Sequence, residues 1–396
     1  MADHPFDAIR LEELRARKSA KWAYYDADVL PAWVAEMDYP LAEPISRALH
    51  DAIDRHDAGY AFAGGLGEAF ATWAHETWQW QVAPRDVHLV ADVVTGITEL
   101  LRVATEPGDA VVIDPPVYPP FASTVRATGR TLLEAPLVRS GAGFAMDLDA
   151  VKAAYEKGAR VHVLCSPHNP AGFVLDRDTL VALGDLAERY GVLVLYDEIH
   201  APLTLPGAVH TPLPMASEAA ASRAIVLTSA SKSWNLAGLK AATMVGCGEE
   251  PRRVLARLPV ETPFHAGHMG VIGACAAFRE GGAWLAQTIA ILDRNRHLLT
   301  DLLAAHLPGA RYVPPQASYL AWIDLRELGL GDDPAAAMLE HGRVALSPGP
   351  SFGAGGAGYA RLNIATTRAL LEEAVARMAA GARAAKARSP ARHPFG

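Results

Sequence analysis

A lysine held between two serines, Ser231-Lys232-Ser233, follows the apolar run Ala224-Ile225-Val226-Leu227 and a further serine, Ser229. The end of a buried strand is a poor place for a solvated ammonium. It suits an amine that attacks a carbonyl and holds it as a Schiff base. Four other stretches carry groups of the same kind, each just after an apolar run. Val94-Thr95-Gly96-Ile97 opens a helical pattern and offers backbone N–H groups to an anion. Asp114-Pro115-Pro116-Val117-Tyr118-Pro119-Pro120 is a stiff loop that fixes an aromatic ring. Ser166-Pro167-His168-Asn169-Pro170 supplies an amide, and Asp197-Glu198-Ile199-His200 a carboxylate. Taken singly, these have plainer readings: loop packing for Tyr118, an Asx-turn for Asn169, a helix cap for Asp197. Five coinciding in one chain need a common cause.

The elements that position them supply it. Val87–Val90, Ala110–Ile113, Val161–Leu164, Val192–Leu195 and Ala224–Leu227 are short and apolar, as strands buried on both faces should be. Amphipathic stretches separate them; from Thr179 to Tyr190, Leu180, Leu183, Leu186 and Ala187 share one face, and Gly191 is the stop signal. This is the βα alternation of a mostly parallel α/β sheet, in which ligands bind outside the carboxyl ends of the strands. All five groups fall on that one edge. Later residues have α+β character: a helical region around Gly270 to Ala305, strands at Tyr319–Ile323 and Tyr359–Ile364, and a terminal helix from Thr367 to Ala385. With the N-terminal segment they are expected to form a smaller domain, and Lys386 to Gly396 a frayed basic tail.

Pyridoxal 5′-phosphate (PLP) accounts for the whole set. Its phosphate wants a helix N-terminus and hydroxyls (Thr95, Gly96, Ser229, Ser231), its ring an aromatic face (Tyr118), its phenolic oxygen a donor (Asn169), and its ring nitrogen a carboxylate (Asp197). Ser166-Pro167-His168-Asn169-Pro170-Ala171-Gly172, Asp197-Glu198-Ile199-His200 and Ser229-Ala230-Ser231-Lys232 resemble the signatures of fold-type-I PLP enzymes, the class I/II aminotransferase superfamily. Lys21-Trp22, Leu30-Pro31-Ala32-Trp33-Val34-Ala35-Glu36-Met37-Asp38, Val117-Tyr118-Pro119-Pro120-Phe121 and Tyr319-Leu320-Ala321-Trp322 resemble the MalY/PatB branch of cystathionine β-lyases and related carbon–sulfur lyases.

That resemblance implies an α/β fold with a seven-stranded, mostly parallel sheet in a large PLP-binding domain, residues 49–285. Residues 1–48 would join a small α+β domain at 286–396. It implies a homodimer with shared active sites, in which Tyr60 reaches the cofactor phosphate and substrate of the neighbouring subunit. Arg361 would clamp the substrate carboxylate with help from Asn169 and Tyr319; Ile97, His200 and Lys240 would join the cofactor site; Lys232 and Tyr118 would be catalytic. Aminotransferases usually place a tyrosine three residues after the ring-nitrogen aspartate and an arginine eight after the lysine; His200 and Lys240 stand there instead, and both departures favour the lyase branch. Gln316-Ala317-Ser318 replaces an expected Glu-Gly-Thr, and Glu36 an aspartate. The expected reaction is α,β-elimination from L-cystathionine or another L-cysteine S-conjugate. Transamination, a specialised reaction on a thiol conjugate, and a regulatory binding role are the alternatives.

Composition sets the outer bounds. The chain has 396 residues, of which 51% are hydrophobic and 20% charged, enough for two globular domains. Its 36 basic against 44 acidic residues, with no basic stripe, exclude an electrostatic footprint for nucleic acid. Cys165, Cys247 and Cys275 are odd in number and lack metal-ligand spacing, which predicts reduced thiols and a cytoplasmic protein. His265 and His268 lie three apart without a third ligand, so no metal is expected. No signal peptide or membrane span is evident, and small-molecule amino acids and a second copy of the chain are the expected partners.

Overall fold

The computed structural model describes residues 4–388. At its centre lies a seven-stranded sheet made of β1 (Val87–Val90), β2 (Ala110–Ile113), β3 (Thr131–Glu134), β4 (Ala159–Cys165), β5 (Leu193–Asp197), β6 (Ala224–Thr228) and β7 (Ala242–Gly246). The spatial order is β1-β7-β6-β5-β4-β2-β3, with β7 antiparallel between β1 and β6 and the remaining pairings parallel. Every residue of β5 and β6 is buried, which is why both read as continuous apolar runs. Helices pack on the sheet by amphipathic faces. The helix Arg177–Tyr190 starts where Asp176 accepts the Thr179 N–H at 2.7 Å, buries Leu180, Leu183 and Ala187, and stops at Gly191 with φ of 68°.

Two of these strands, β3 and β7, are additions to the five legible in the sequence. β3 is a half-exposed edge, and β7 is a weak run, Ala242-Thr243-Met244-Val245-Gly246, made a strand by pairing on both sides. The helical region expected from Gly270 to Ala305 is two helices, His268–Glu280 and Gly282–His306. They part at Gly281, whose carbonyl accepts the Trp234 indole N–H at 3.0 Å and where an added Cβ would lie 2.4 Å from that nitrogen.

A second sheet is antiparallel, in the order Arg311–Tyr312, Leu320–Asp324, Tyr359–Asn363, Ser347–Pro348. The N-terminal segment joins this region, as Leu30–Pro31 pairs in parallel with Val344–Ala345. A buried ion pair anchors the same segment: Lys21 Nζ lies 2.8 Å from Asp38, which also accepts the Trp22 indole N–H at 2.9 Å. The terminal helix spans Arg368–Arg388. Lys386 to Arg388 are therefore helical, contrary to the frayed tail expected from Lys386 onward, because the alanine-rich run into them continues a strong helix-forming pattern. The rest of that tail lies outside the described residues.

Candidate active site

The carboxyl ends of the central strands open on a cavity of about 370 Å³. Thr95, Tyr118, Asn169, Asp197, His200, Ser229, Ser231, Lys232 and Lys240, all expected from the sequence, line it. Lys232 sits in the short helix Ala230–Ser233, which Ser229 caps by accepting the Ser231 N–H at 3.0 Å while donating to the Ala241 carbonyl at 2.6 Å. Its ammonium donates to the Ala35 carbonyl at 2.9 Å, and the Tyr319 hydroxyl donates to the same oxygen at 3.1 Å. Burial, reinforced by the nearby Arg361 charge, lowers the Lys232 pKa to about 8. A neutral, nucleophilic amine is thus accessible near physiological pH.

Asp197 ends β5 and is buried; desolvation pushes its carboxyl up to about 7. It accepts the Ile199 N–H at 2.9 Å and makes no ion pair among the described residues. A buried carboxylate so placed calls for a cationic partner. Tyr118 is presented as the residue preceding the helix Pro119–Ala127, edge-on to Phe121 at 5.7 Å.

Arg361, on the strand Tyr359–Asn363, is buried and reaches across to the large sheet. Its guanidinium donates to Asn169 Oδ1 at 2.8 Å, to Ser347 Oγ at 3.0 Å and to the Trp33 carbonyl at 3.1 Å. It lies 5.0 Å over the Phe352 ring. Desolvation lowers its pKa to about 10, which still leaves it cationic and able to hold a carboxylate.

At the helix Val93–Ala104, Asp92 is a residue the sequence reading passed over. Its carboxylate caps the helix by accepting the Thr95 N–H at 2.8 Å and pairs with Lys240 Nζ at 2.9 Å. An aspartate directly before an apolar helical run is the signal that marks it. Other contributors given no role from the sequence are Trp33 and Ala35, which lie in the Leu30 to Asp38 signature but act through their backbone carbonyls, and Ser347, which acts through its hydroxyl.

Besides Arg361, four expected residues stand outside the cavity lining. Gly96 packs its helix on the sheet, where an added Cβ would meet Leu227 Cδ2 at 2.8 Å, and Ile97 is in the core. Tyr319 is fully buried beside the cavity. Tyr60 is 86% exposed, with its ring against Phe264 at 6.4 Å. His268 pairs with Asp57 at 3.1 Å, and among the described residues no group of His, Cys, Asp or Glu is arranged to hold a metal ion.

The donor set fits PLP. Lys232 can receive an aldehyde, Asp197 can accept from a protonated ring nitrogen, Tyr118 can flank a ring, and the Val93–Ala104 helix start with Ser231 and Lys240 can face a phosphate.

Comparison with known proteins agrees. The family model for aminotransferase class I and II matches residues 28–378. A Mycobacterium tuberculosis protein described provisionally as a cystathionine β-lyase is 44% identical over 405 residues, covering 96% of this chain and 98% of its own. Cystathionine β-lyase PatB of Bacillus subtilis is 33% identical, with 93% of this chain and 98% of that protein covered. The crystal structure of the PLP-bound C–S lyase of Staphylococcus hominis superposes with a TM-score of 0.87 at 25% identity, over 95% of this chain and 98% of that one.

Proposed function

The chain belongs to the class I and II aminotransferase family, and we propose that within it this protein is a PLP-dependent carbon–sulfur β-lyase. It cleaves L-cystathionine or another L-cysteine S-conjugate, with water, to a thiol, pyruvate and ammonia. One observation carries the cofactor chemistry: a buried lysine with its pKa lowered to about 8 shares one cavity with a buried carboxylate. Likeness to cystathionine β-lyases along almost the whole chain favours elimination over transamination.

When bound, PLP supplies an electron sink for the bonds at the substrate Cα, and Asp197 keeps its ring nitrogen protonated. The chain's own residues do the rest. Arg361 grips the α-carboxylate through its planar fork, with Asn169 fixing the guanidinium from one side and Ser347 from the other. Tyr118 confines the reacting plane. Lys232, its basicity moderated by burial, takes the Cα proton, which sets up departure of the β-thiolate.

The active unit is a homodimer. Tyr60 and Phe62 on one loop, and Phe264 against the Tyr60 ring, form an exposed apolar group of the kind a second copy covers. The exposed Tyr60 then serves the partner's site. Residues 49–285 form the cofactor-binding unit, and the described parts of 1–48 and 286–396 the smaller one. Three unpaired cysteines, and no helix among the described residues long and apolar enough to cross a membrane, fit a cytoplasmic enzyme.

The deciding assay is pyruvate release from L-cystathionine by PLP-loaded protein with no 2-oxo acid present. Turnover lost in Lys232→Ala is expected. No pyruvate, with the substrate's amino group instead passed to an added 2-oxo acid, would replace the lyase reading with transamination.

A further inference from the structure

His200 and Ser318 meet across 118 positions of sequence, with Ser318 Oγ 2.9 Å from His200 Nδ1. Both are buried, and His200 lines the cavity. The direction of that hydrogen bond can be worked out. A hydroxyl has a proton to place, and His200 Nδ1 is the single hydrogen-bond partner of Ser318 Oγ among the described residues. If Nδ1 carried the hydrogen, the buried hydroxyl proton would have no acceptor, at the cost of an unmade bond. The serine therefore donates to Nδ1, and the imidazole hydrogen resides on Nε2. Among the described residues Nε2 has no hydrogen-bond partner, and His200 lines the cavity.

We infer that Ser318 is a positioning residue that locks His200 in its Nε2–H tautomer, so that the edge of the central sheet presents a fixed N–H donor to an anionic oxygen bound in the cavity. That oxygen belongs either to the cofactor's phenolic group or to the substrate carboxylate. His200 stays neutral in this role, because burial and the neighbouring Lys232 and Arg361 charges lower its pKa to about 3. The Tyr319 ring, edge-on at 5.9 Å, is the other titratable group against it. Neutrality matters, since an imidazolium would donate from both nitrogens and need no serine.

Backbone conformation supports the assignment. Ser318 has φ of 72°, a region glycine occupies without penalty and other residues only under strain. The segment is pinned there by Ser318 N–H to the Leu203 carbonyl at 2.9 Å, Leu205 N–H to the Gln316 carbonyl at 2.9 Å and Gln316 N–H to the Gly172 carbonyl at 2.7 Å. For the backbone alone glycine would be preferable. What serine adds is the hydroxyl.

This inference rests on PLP occupying the cavity but not on the reaction catalysed, and the first readout needs no turnover. Ser318→Gly keeps the turn and removes the hydroxyl; Ser318→Ala removes it without adding backbone freedom. In the PLP-loaded protein without substrate, the pH midpoint of the cofactor's absorbance change is expected to rise by about half a unit to one unit in both variants, because an oxygen deprived of a donor becomes more basic. If the acceptor is the substrate carboxylate, the midpoint stays and the affinity for L-cystathionine, followed through the same absorbance, falls about threefold to tenfold. In a His200→Gln background neither serine substitution has a further effect. Unchanged midpoint and unchanged affinity in Ser318→Gly and Ser318→Ala would overturn the inference, as would full additivity with His200→Gln. A merely structural serine would predict a raised melting temperature for Ser318→Gly with both cofactor readouts unmoved.

Discussion

Replacing Asp197 by asparagine should make the cofactor-free protein more stable, increasingly so as pH rises from about 4 to about 7. Burial moves this carboxyl from 3.8 to about 7. Each pH unit of such a displacement is worth about 1.4 kcal/mol, so holding the ionised form in the folded protein costs about 4 kcal/mol. The sign follows from proton binding: the folded state holds the proton more tightly than the unfolded chain, so stability from this group is present below about pH 4 and drains away as pH rises to about 7. The neutral amide of the variant has no such dependence. His168 and His200, lowered to about 4 and about 3 by burial, contribute a dependence of the opposite sign, but equally in both proteins. With an unfolding entropy of about 2.1 cal/mol/K per residue over 396 residues, 4 kcal/mol corresponds to about 5 °C in melting temperature. Melting both proteins by calorimetry without PLP at pH 5 and pH 8, between which about 2.5 kcal/mol of that cost appears, should give curves whose separation changes by about 3 °C in the variant's favour. PLP should reverse the order at pH 8, since the ring nitrogen then supplies the missing partner. An offset that is the same at both pH values would refute the reasoning.

Capture of PLP by apo-protein should accelerate about thirtyfold between pH 6.5 and pH 9, as the Lys232 amine loses its proton around pH 8, and stopped-flow absorbance would show it; a flat profile counts against a lowered lysine pKa. Lys21→Met should cost about 3–5 kcal/mol in denaturant titration by stranding buried Asp38, while the pair Lys21→Met and Asp38→Leu should recover most of that. Gly349→Ala should cost about 1–3 kcal/mol and weaken substrate binding together, because its Cβ would lie 2.1 Å from the Gly356 carbonyl and 2.3 Å from that of Tyr359, displacing the turn that holds Phe352 under Arg361. Titration and steady-state kinetics on that variant check both halves.

The catalytic edge was legible because burial on both faces forces β5 and β6 into apolar runs and keeps β4 mostly apolar, so the polar residues just beyond them stand out. Lys232, Asp197 and Asn169 are of this type. Arg361 was placed through family resemblance; nothing local in Tyr359-Ala360-Arg361-Leu362-Asn363 says that its side chain reaches Asn169. The Lys21-Trp22 and Glu36-Met37-Asp38 signatures were recognised without a reason, which the structure provides: Lys21 and Trp22 both converge on Asp38. Asp92 beside Lys240, and Ser318 beside His200, were illegible as pairs because partners distant in sequence carry no shared periodicity. β7 was missed for a related reason, its strand character being conferred by neighbours on both sides.

The bonds that close the site also have a bearing on how the chain is made. Lys232 reaches Ala35 across 197 residues, Arg361 reaches Asn169 across 192, and Met37 N–H meets Asn235 across 198. Contacts of such span form late, since the entropy of closing their loops is repaid only once the intervening elements have docked. No fragment that stops short of Arg361 or starts after Ala35 contains all these groups: a chain halted on the ribosome before Arg361 emerges has the lysine but not the clamp. Cofactor colour held together with substrate-carboxylate binding is thus a property of the finished molecule, and its appearance during refolding would time the last assembly step rather than the first collapse.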